Sequence, residues 1–160
     1  PDPARLTPPG GPALPRQQDR IAEFLELRSP EQKLPYVCKL AARHYERGRT
    51  VSIHTPDTAE AEELDQMLWT FRQNSFVPHV RLELAQEPLI EPVIIFEGEP
   101  GGVEPEVLIL PSALEPPEWY GRFRYIHDFA VLYDERLREA GRRRYATYKQ
   151  AGYRMRFVRP

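Results

Sequence analysis

Val93-Ile94-Ile95-Phe96 and Val107-Leu108-Ile109-Leu110 are two unbroken apolar runs of four, set among acidic segments rich in proline and glycine. A strand with one wet face alternates apolar and polar side chains, so runs without alternation predict strands buried on both faces, as in a parallel sheet covered by helices. Outward from this pair, Tyr125–Val131, Ile21–Leu27 and residues 50–54 read as three further strands. Ser29-Pro30 carries a cap and a first-position proline, but Pro35 moves the expected helix start to near Leu34. Leu34, Val37, Cys38, Ala41 and Tyr45 then fall on one side at about 100° per residue, and Gly48 supplies a stop. Thr55-Pro56-Asp57 opens a second helix, and Asp134 begins a third that ends at Gly152. Strands alternating with helices in this order predict an α/β fold: a single domain with a mainly parallel sheet and helices on both faces.

The chain of 160 residues is long enough for one domain with a real core. Residues 1–20 hold six prolines and two glycines with few large apolar side chains, so they read as a flexible arm before a domain over 21–160. Apolar content of 41% with 29% charged residues, and no apolar run of about 20, fits a soluble cytoplasmic protein. The start at Pro1 rather than Met points to processing or trimming. Cys38 is the single cysteine, lies in the apolar stripe of the first helix and reads as a small buried hydrophobe rather than a nucleophile.

Sheets of this kind often bind nucleotides at their carboxyl edge, but the glycine-rich phosphate loops that do so are missing here. Gly98, Gly101 and Gly102 lie in an acidic turn, so no nucleotide cofactor is expected. His44, His54, His79 and His127 match no metal or nucleophile motif, and no metal or catalytic residue is assigned. His54 and the His127-Asp128 pair are the raw material of acid–base chemistry if they meet across the sheet edge; a histidine that simply packs at a strand end is the competing reading.

Two stretches remain. In Leu68-Trp69-Thr70-Phe71-Arg72-Gln73-Asn74-Ser75-Phe76-Val77-Pro78-His79, Trp69 projects roughly 140° from Leu64, off the core stripe. It either anchors an interface with Phe76 or stacks on Phe76 to finish a core. Residues 136–160 carry nine Arg or Lys against one Glu, whereas residues 82–121 carry nine Glu and no base. On the third helix Arg138, Arg142 and Lys149 share a face bordered by Tyr145, a cationic stripe beside an aromatic wall, while Ala140, Gly141, Arg144, Tyr148 and Ala151 turn to the core. Its competing reading is a solvated face that only aids solubility.

Leu64-Asp65-Gln66-Met67-Leu68-Trp69-Thr70-Phe71 with Ser75-Phe76-Val77-Pro78-His79 resembles a signature of the DNA polymerase III chi subunit family. Arg142-Arg143-Arg144-Tyr145-Ala146-Thr147-Tyr148-Lys149-Gln150-Ala151-Gly152-Tyr153 is similar to that family's last helix. The match runs from residue 21 to about 158. It implies a Rossmann-like domain without a nucleotide site and a non-catalytic, cofactor-free accessory subunit of the bacterial clamp-loader complex. It further implies two partners, the psi subunit and the acidic C-terminal tail of single-stranded DNA-binding protein, with a repair helicase as a further candidate. By resemblance, Trp69, Phe76, Pro78 and His79 belong to the patch for psi-type partners, and Val131, Arg142 and Tyr145 to the tail site, which Arg138 and Lys149 extend. The family's usual base after the tyrosine is Ala146 here, with Lys149 and Arg143 as substitutes, and Gly141 stands where alanine is usual, at a cost of up to about 1 kcal/mol of helix stability. A tail of aspartates ending in Ile-Pro-Phe needs guanidinium forks for its carboxylates and an apolar notch for its ring. Two rival readings remain: a nucleic-acid-binding domain using the basic helix, opposed by a net charge of −10 on the other 135 residues, so that no direct DNA binding is expected; and a small cofactor-free enzyme.

Overall fold

A computed structural model describes residues 20–73, 76–102, 106–111 and 114–160, so the proline-rich arm lies outside the described residues but for Arg20. The described elements are β1 (Ile21–Leu27), α1 (Lys33–Glu46), β2 (Val51–His54), α2 (Thr58–Thr70), β3 (His79–Arg81), β4 (Val93–Phe96), β5 (Val107–Ile109), β6 (Tyr125–Val131), α3 (Glu135–Gln150) and β7 (Arg154–Val158). All pairings are parallel, in the order β3-β4-β2-β5-β6-β1-β7. The expected α/β architecture is therefore present, with two strands more than the sequence announced. Both additions, β3 and β7, are the sheet's edges.

Local chemistry explains the boundaries. Ser29 precedes a single 3-10 turn, Pro30–Gln32, and α1 takes over at Lys33, which leaves Pro35 in the first turn where its missing N–H costs little. Gly48, with φ of +75°, turns the chain out of α1 in a left-handed conformation that suits glycine. The Asp57 side chain accepts from Glu60 N at 2.8 Å to start α2, and Asp134 accepts from Leu137 N at 2.9 Å to start α3. Gly152, φ +95°, reverses the chain from α3 into β7.

Two apolar layers result. α1 and α2 cover one face, where Leu34, Val37, Ala41, Leu64 and Leu68 meet Ile53, Ile95, Ile109 and Phe129. α3 and the 3-10 segment Glu118–Arg122 cover the other, with Tyr148, Phe123 and Tyr153 against Phe24, Phe96 and Leu108. Val93–Phe96 and Val107–Ile109 are buried throughout, as their lack of alternation requires. Cys38 is fully buried, and burial pushes its thiol up to about 12, so it packs as a hydrophobe.

The second layer is pinned by charge. Arg144 on α3 is 3% exposed and donates from Nε and Nη2 to the two oxygens of Asp128 on β6, at 2.8 and 2.9 Å. Tyr148 donates to the same carboxylate at 3.0 Å and Phe129 N at 2.6 Å, so no oxygen of Asp128 is left bare. Arg20, at the foot of β1, donates to Tyr153 Oη at 2.7 Å and to the Gly121 carbonyl, tying the sheet to the 3-10 segment.

Removing one partner of a buried ion pair leaves the other uncompensated. Arg144→Met is expected to lower the unfolding free energy, read by urea titration, by about 3–5 kcal/mol. Tyr148→Phe, which removes one donor and keeps the ring, costs about 1–3 kcal/mol in the same assay.

Candidate functional site

At the carboxyl edge of β1 and β6, a cavity of about 490 Å3 opens between the sheet, α3 and β7. Val131, Arg138, Arg142 and Tyr145 all line it, so the sheet and helix bring together four of the five residues expected at the tail site. Lys149 is exposed near the end of α3 and is not among the lining residues. Phe24, Ala130, Leu132, Gly141 and Phe157 complete the lining. Phe157 comes from the unexpected strand β7 and is 50% exposed.

The cavity follows from the pinning of α3. With Arg144 and Tyr148 turned into the core, the 3.6-residue repeat carries Arg138, Arg142 and Tyr145 to the helix flank above the sheet edge. Tyr145 packs against Phe24 at a tilt, with ring centroids 5.3 Å apart. A Cβ at Gly141 would lie 3.4 Å from the Phe129 carbonyl oxygen, an ordinary contact distance, so the helix face has room for the alanine usual there. Arg142 donates to Glu139 at 2.7 Å in an exposed pair, and Arg143, a proposed stand-in for the missing base, donates to Glu115 at 3.0 Å. The result is an apolar notch with two guanidiniums at its side.

A second surface lies beside the opposite edge of the sheet. Trp69 at the end of α2 is 50% exposed and Phe76 57%, with their rings 5.2 Å apart. They lie against each other and still face solvent, so the pair does not finish a core. His79 at the start of β3 packs 4.6 Å from the Trp69 ring. Its Nδ1 lies 2.7 Å from the Val77 carbonyl, and its Nε2 lies 3.2 Å from the Asp65 carbonyl and 3.3 Å from the Asp65 carboxylate. His79 is thus the buried post that props the tryptophan, and Pro78 is half-buried beside it.

The acid–base pairing weighed for His54 and His127-Asp128 does not form. Asp128 points to the α3 face and is spent on Arg144, whereas His127 points to the α1 face. His54 packs against Phe96 and Trp119, at centroid distances of 5.3 and 5.6 Å. His127 instead meets His44, Nε2 to Nε2 at 2.7 Å. Because a guanidinium only donates, Arg49 Nη1 at 3.1 Å from His44 Nδ1 places the His44 proton on Nε2. His44 therefore donates to His127, whose own proton sits on Nδ1, 3.3 Å from Glu23 Oε1 but off the line of a good hydrogen bond. Spacing gave no sign of this relay, since its members come from α1, β1 and β6.

The fold defines a class: one parallel α/β sheet covered on both faces. The family model described as "DNA polymerase III chi subunit, HolC" matches residues 20–156. A DNA polymerase III subunit chi from Pseudomonas aeruginosa is 34% identical over 124 residues, 78% of this chain and 84% of that protein. The subunit chi of Escherichia coli K12 is 28% identical over 131 residues (74% and 80%), and that of Haemophilus influenzae 31% over 119 residues (74% and 81%). The chain belongs to the DNA polymerase III chi subunit family. No helix among the described residues is long and apolar enough to cross a membrane.

Burial, then the charges of His127, Arg49, Arg47 and Arg43, hold His44 down from 6.5 to about 3 in the folded chain. Between those values the unfolded chain binds the extra proton, so stability falls as pH drops from 6.5, by up to about 1.4 kcal/mol per unit. Glu23, held low chiefly by its contact with His127, adds loss in the same direction at more acidic pH. Urea unfolding between pH 7.5 and 5 is expected to show this slope for the wild type and a flatter one for His44→Gln.

Proposed function

We propose that this chi-family chain is a non-catalytic adaptor of the replicative polymerase, joining the clamp loader, through a psi-type subunit, to the acidic C-terminal tail of single-stranded DNA-binding protein. One observation carries the reading: the cavity that joins Val131 and Tyr145 to Arg138 and Arg142. Its apolar lining, from Phe24, Val131, Leu132 and Phe157, suits a terminal phenylalanine ring, and the guanidiniums beside it suit the terminal carboxylate and the aspartates before it. A volume of about 490 Å3 is right for a side chain with its neighbours rather than for a folded element.

The half-exposed Trp69 and Phe76 rings, propped by His79, are the dock for the psi-type partner. Aromatics held in place before binding lose little freedom on contact and make good anchors. The two surfaces flank opposite edges of the sheet, beside β3 and β7, so one partner does not block the other.

Glu139 competes for the site. Its exposed pair with Arg142 is worth about 0.2–1 kcal/mol at most and is exchanged for a ligand carboxylate on binding.

The test is fluorescence anisotropy of a labelled peptide ending in Asp-Asp-Ile-Pro-Phe, titrated across a salt series. Micromolar, salt-sensitive binding is expected, weakened about tenfold or more by Arg142→Ala through loss of a charge-assisted hydrogen bond. Glu139→Gln is expected to tighten binding by up to about fivefold, the value of the pair it removes. Trp69→Ala leaves tail binding unchanged while weakening capture of a psi-type subunit. Binding indifferent to Arg142 defeats the tail reading.

A further inference from the structure

On the sheet face away from α3, near the amino-terminal ends of β1 and β6, a separate cavity of about 250 Å3 opens beside the last turn of α1. Arg43, Arg47, Arg49 and Arg156 line it with His44 and His127, and Glu23 is the single carboxylate among its lining residues. A guanidinium is charged at any working pH, so four cations face one anion across a space a few atoms wide.

Their ordinary duties are already covered. Among the described residues none of the four makes an ion pair within 4 Å. The last carbonyls of α1 are taken by backbone donors: Arg47 N and Arg49 N reach His44 O at 3.1 and 3.0 Å, and Gly48 N reaches Tyr45 O at 2.9 Å. The arginines are therefore not needed as helix caps. Arg49 is fixed in place, donating to His44 and lying 4.6 Å over the Tyr125 ring. Beneath it, His127 is 8% exposed, with its Nδ1 3.3 Å from Glu23 Oε1, the one carboxylate in the lining.

We propose that this cavity binds a phosphate group, held by the forks of Arg43, Arg47, Arg49 and Arg156. Forks arriving from α1, the loop after it and β7 surround a tetrahedral group with several oxygens better than a planar carboxylate, which offers two. The volume lies below the roughly 300–1,000 Å3 of pockets that enclose whole drug-sized ligands, so the site takes a phosphate head and leaves the rest of its bearer outside. It lies on the other face and at the other end of β1 from the cavity lined by Arg142, and it does not depend on what that cavity holds.

Calorimetric titration of the full chain with sodium pyrophosphate, at pH 7.5 and fixed ionic strength, tests this directly. Saturable binding is expected for the wild type and for Arg142→Ala. Arg47→Gln, one exposed side chain, is expected to weaken it about tenfold, and Arg43→Gln with Arg156→Gln by about a hundredfold, roughly one charge-assisted contact for each arginine. Unchanged thermal midpoints without ligand show that the variants fold. A labelled single-stranded oligothymidylate, followed by anisotropy, identifies the source of the phosphate. Oligonucleotide binding lost in the double variant assigns the site to a nucleic-acid backbone, and pyrophosphate binding alone assigns it to a small phosphate-bearing molecule. Absence of pyrophosphate binding, or equal binding by all variants, overturns the proposal.

Discussion

Asp128 and Arg144 leave water together, and the rotation of α3 follows from how they meet. Burying both charges costs several kcal/mol for each ion, recovered only when geometry and hydrogen bonding are complete. Here the pair is bidentate, and Tyr148 and the Phe129 amide take the remaining capacity of the carboxylate. A helix turned by even one residue would break the contacts of Arg144 and Tyr148 at once. The same constraint holds Arg142 and Tyr145 above the end of β6, so the candidate tail site is positioned by a polar contact it does not include.

What the sequence disclosed depended on how local the signal was. Val93–Phe96 and residues 107–110 announced a buried sheet because four apolar residues in succession have nowhere else to go. Asp57, Asp134, Gly48 and Gly152 marked helix ends through effects confined to one turn. β3 and β7 escaped for opposite reasons. β3 is only three residues, His79–Arg81, and its partner β4 lies beyond a stretch with no periodic pattern. β7 alternates arginine with apolar residues, as an edge strand should, but at the end of a basic helix those arginines read as more of the same charge. Missing β7 meant missing Phe157, which only strand pairing brings alongside Phe24.

The site residues divide along the same line. Helical periodicity placed Arg138, Arg142 and Tyr145 on one flank, and the structure gives them one cavity; Lys149 shares their angle but stands further along the helix, off the lining. Angle around an axis is legible in a sequence, whereas position along it against a distant strand is not. The histidines make the point again. Adjacent residues of a strand face opposite sides, so the neighbours His127 and Asp128 belong to different layers and take partners from α1 and α3 respectively.

The strand order sets a schedule for assembly. β2, β4 and β5 all lie between Val51 and Ile109 and can pair before the last third of the chain emerges, while β1 precedes them and has as neighbours only β6 and β7, which begin at Tyr125 and Arg154. At the ~5–20 residues per second of synthesis, β1 waits several seconds or more with Phe24, Leu25 and Leu27 lacking the surfaces that cover them in the finished fold. Glu23 and Glu26, set among those apolar residues, put charge on a segment that would otherwise pair readily with another unfinished chain.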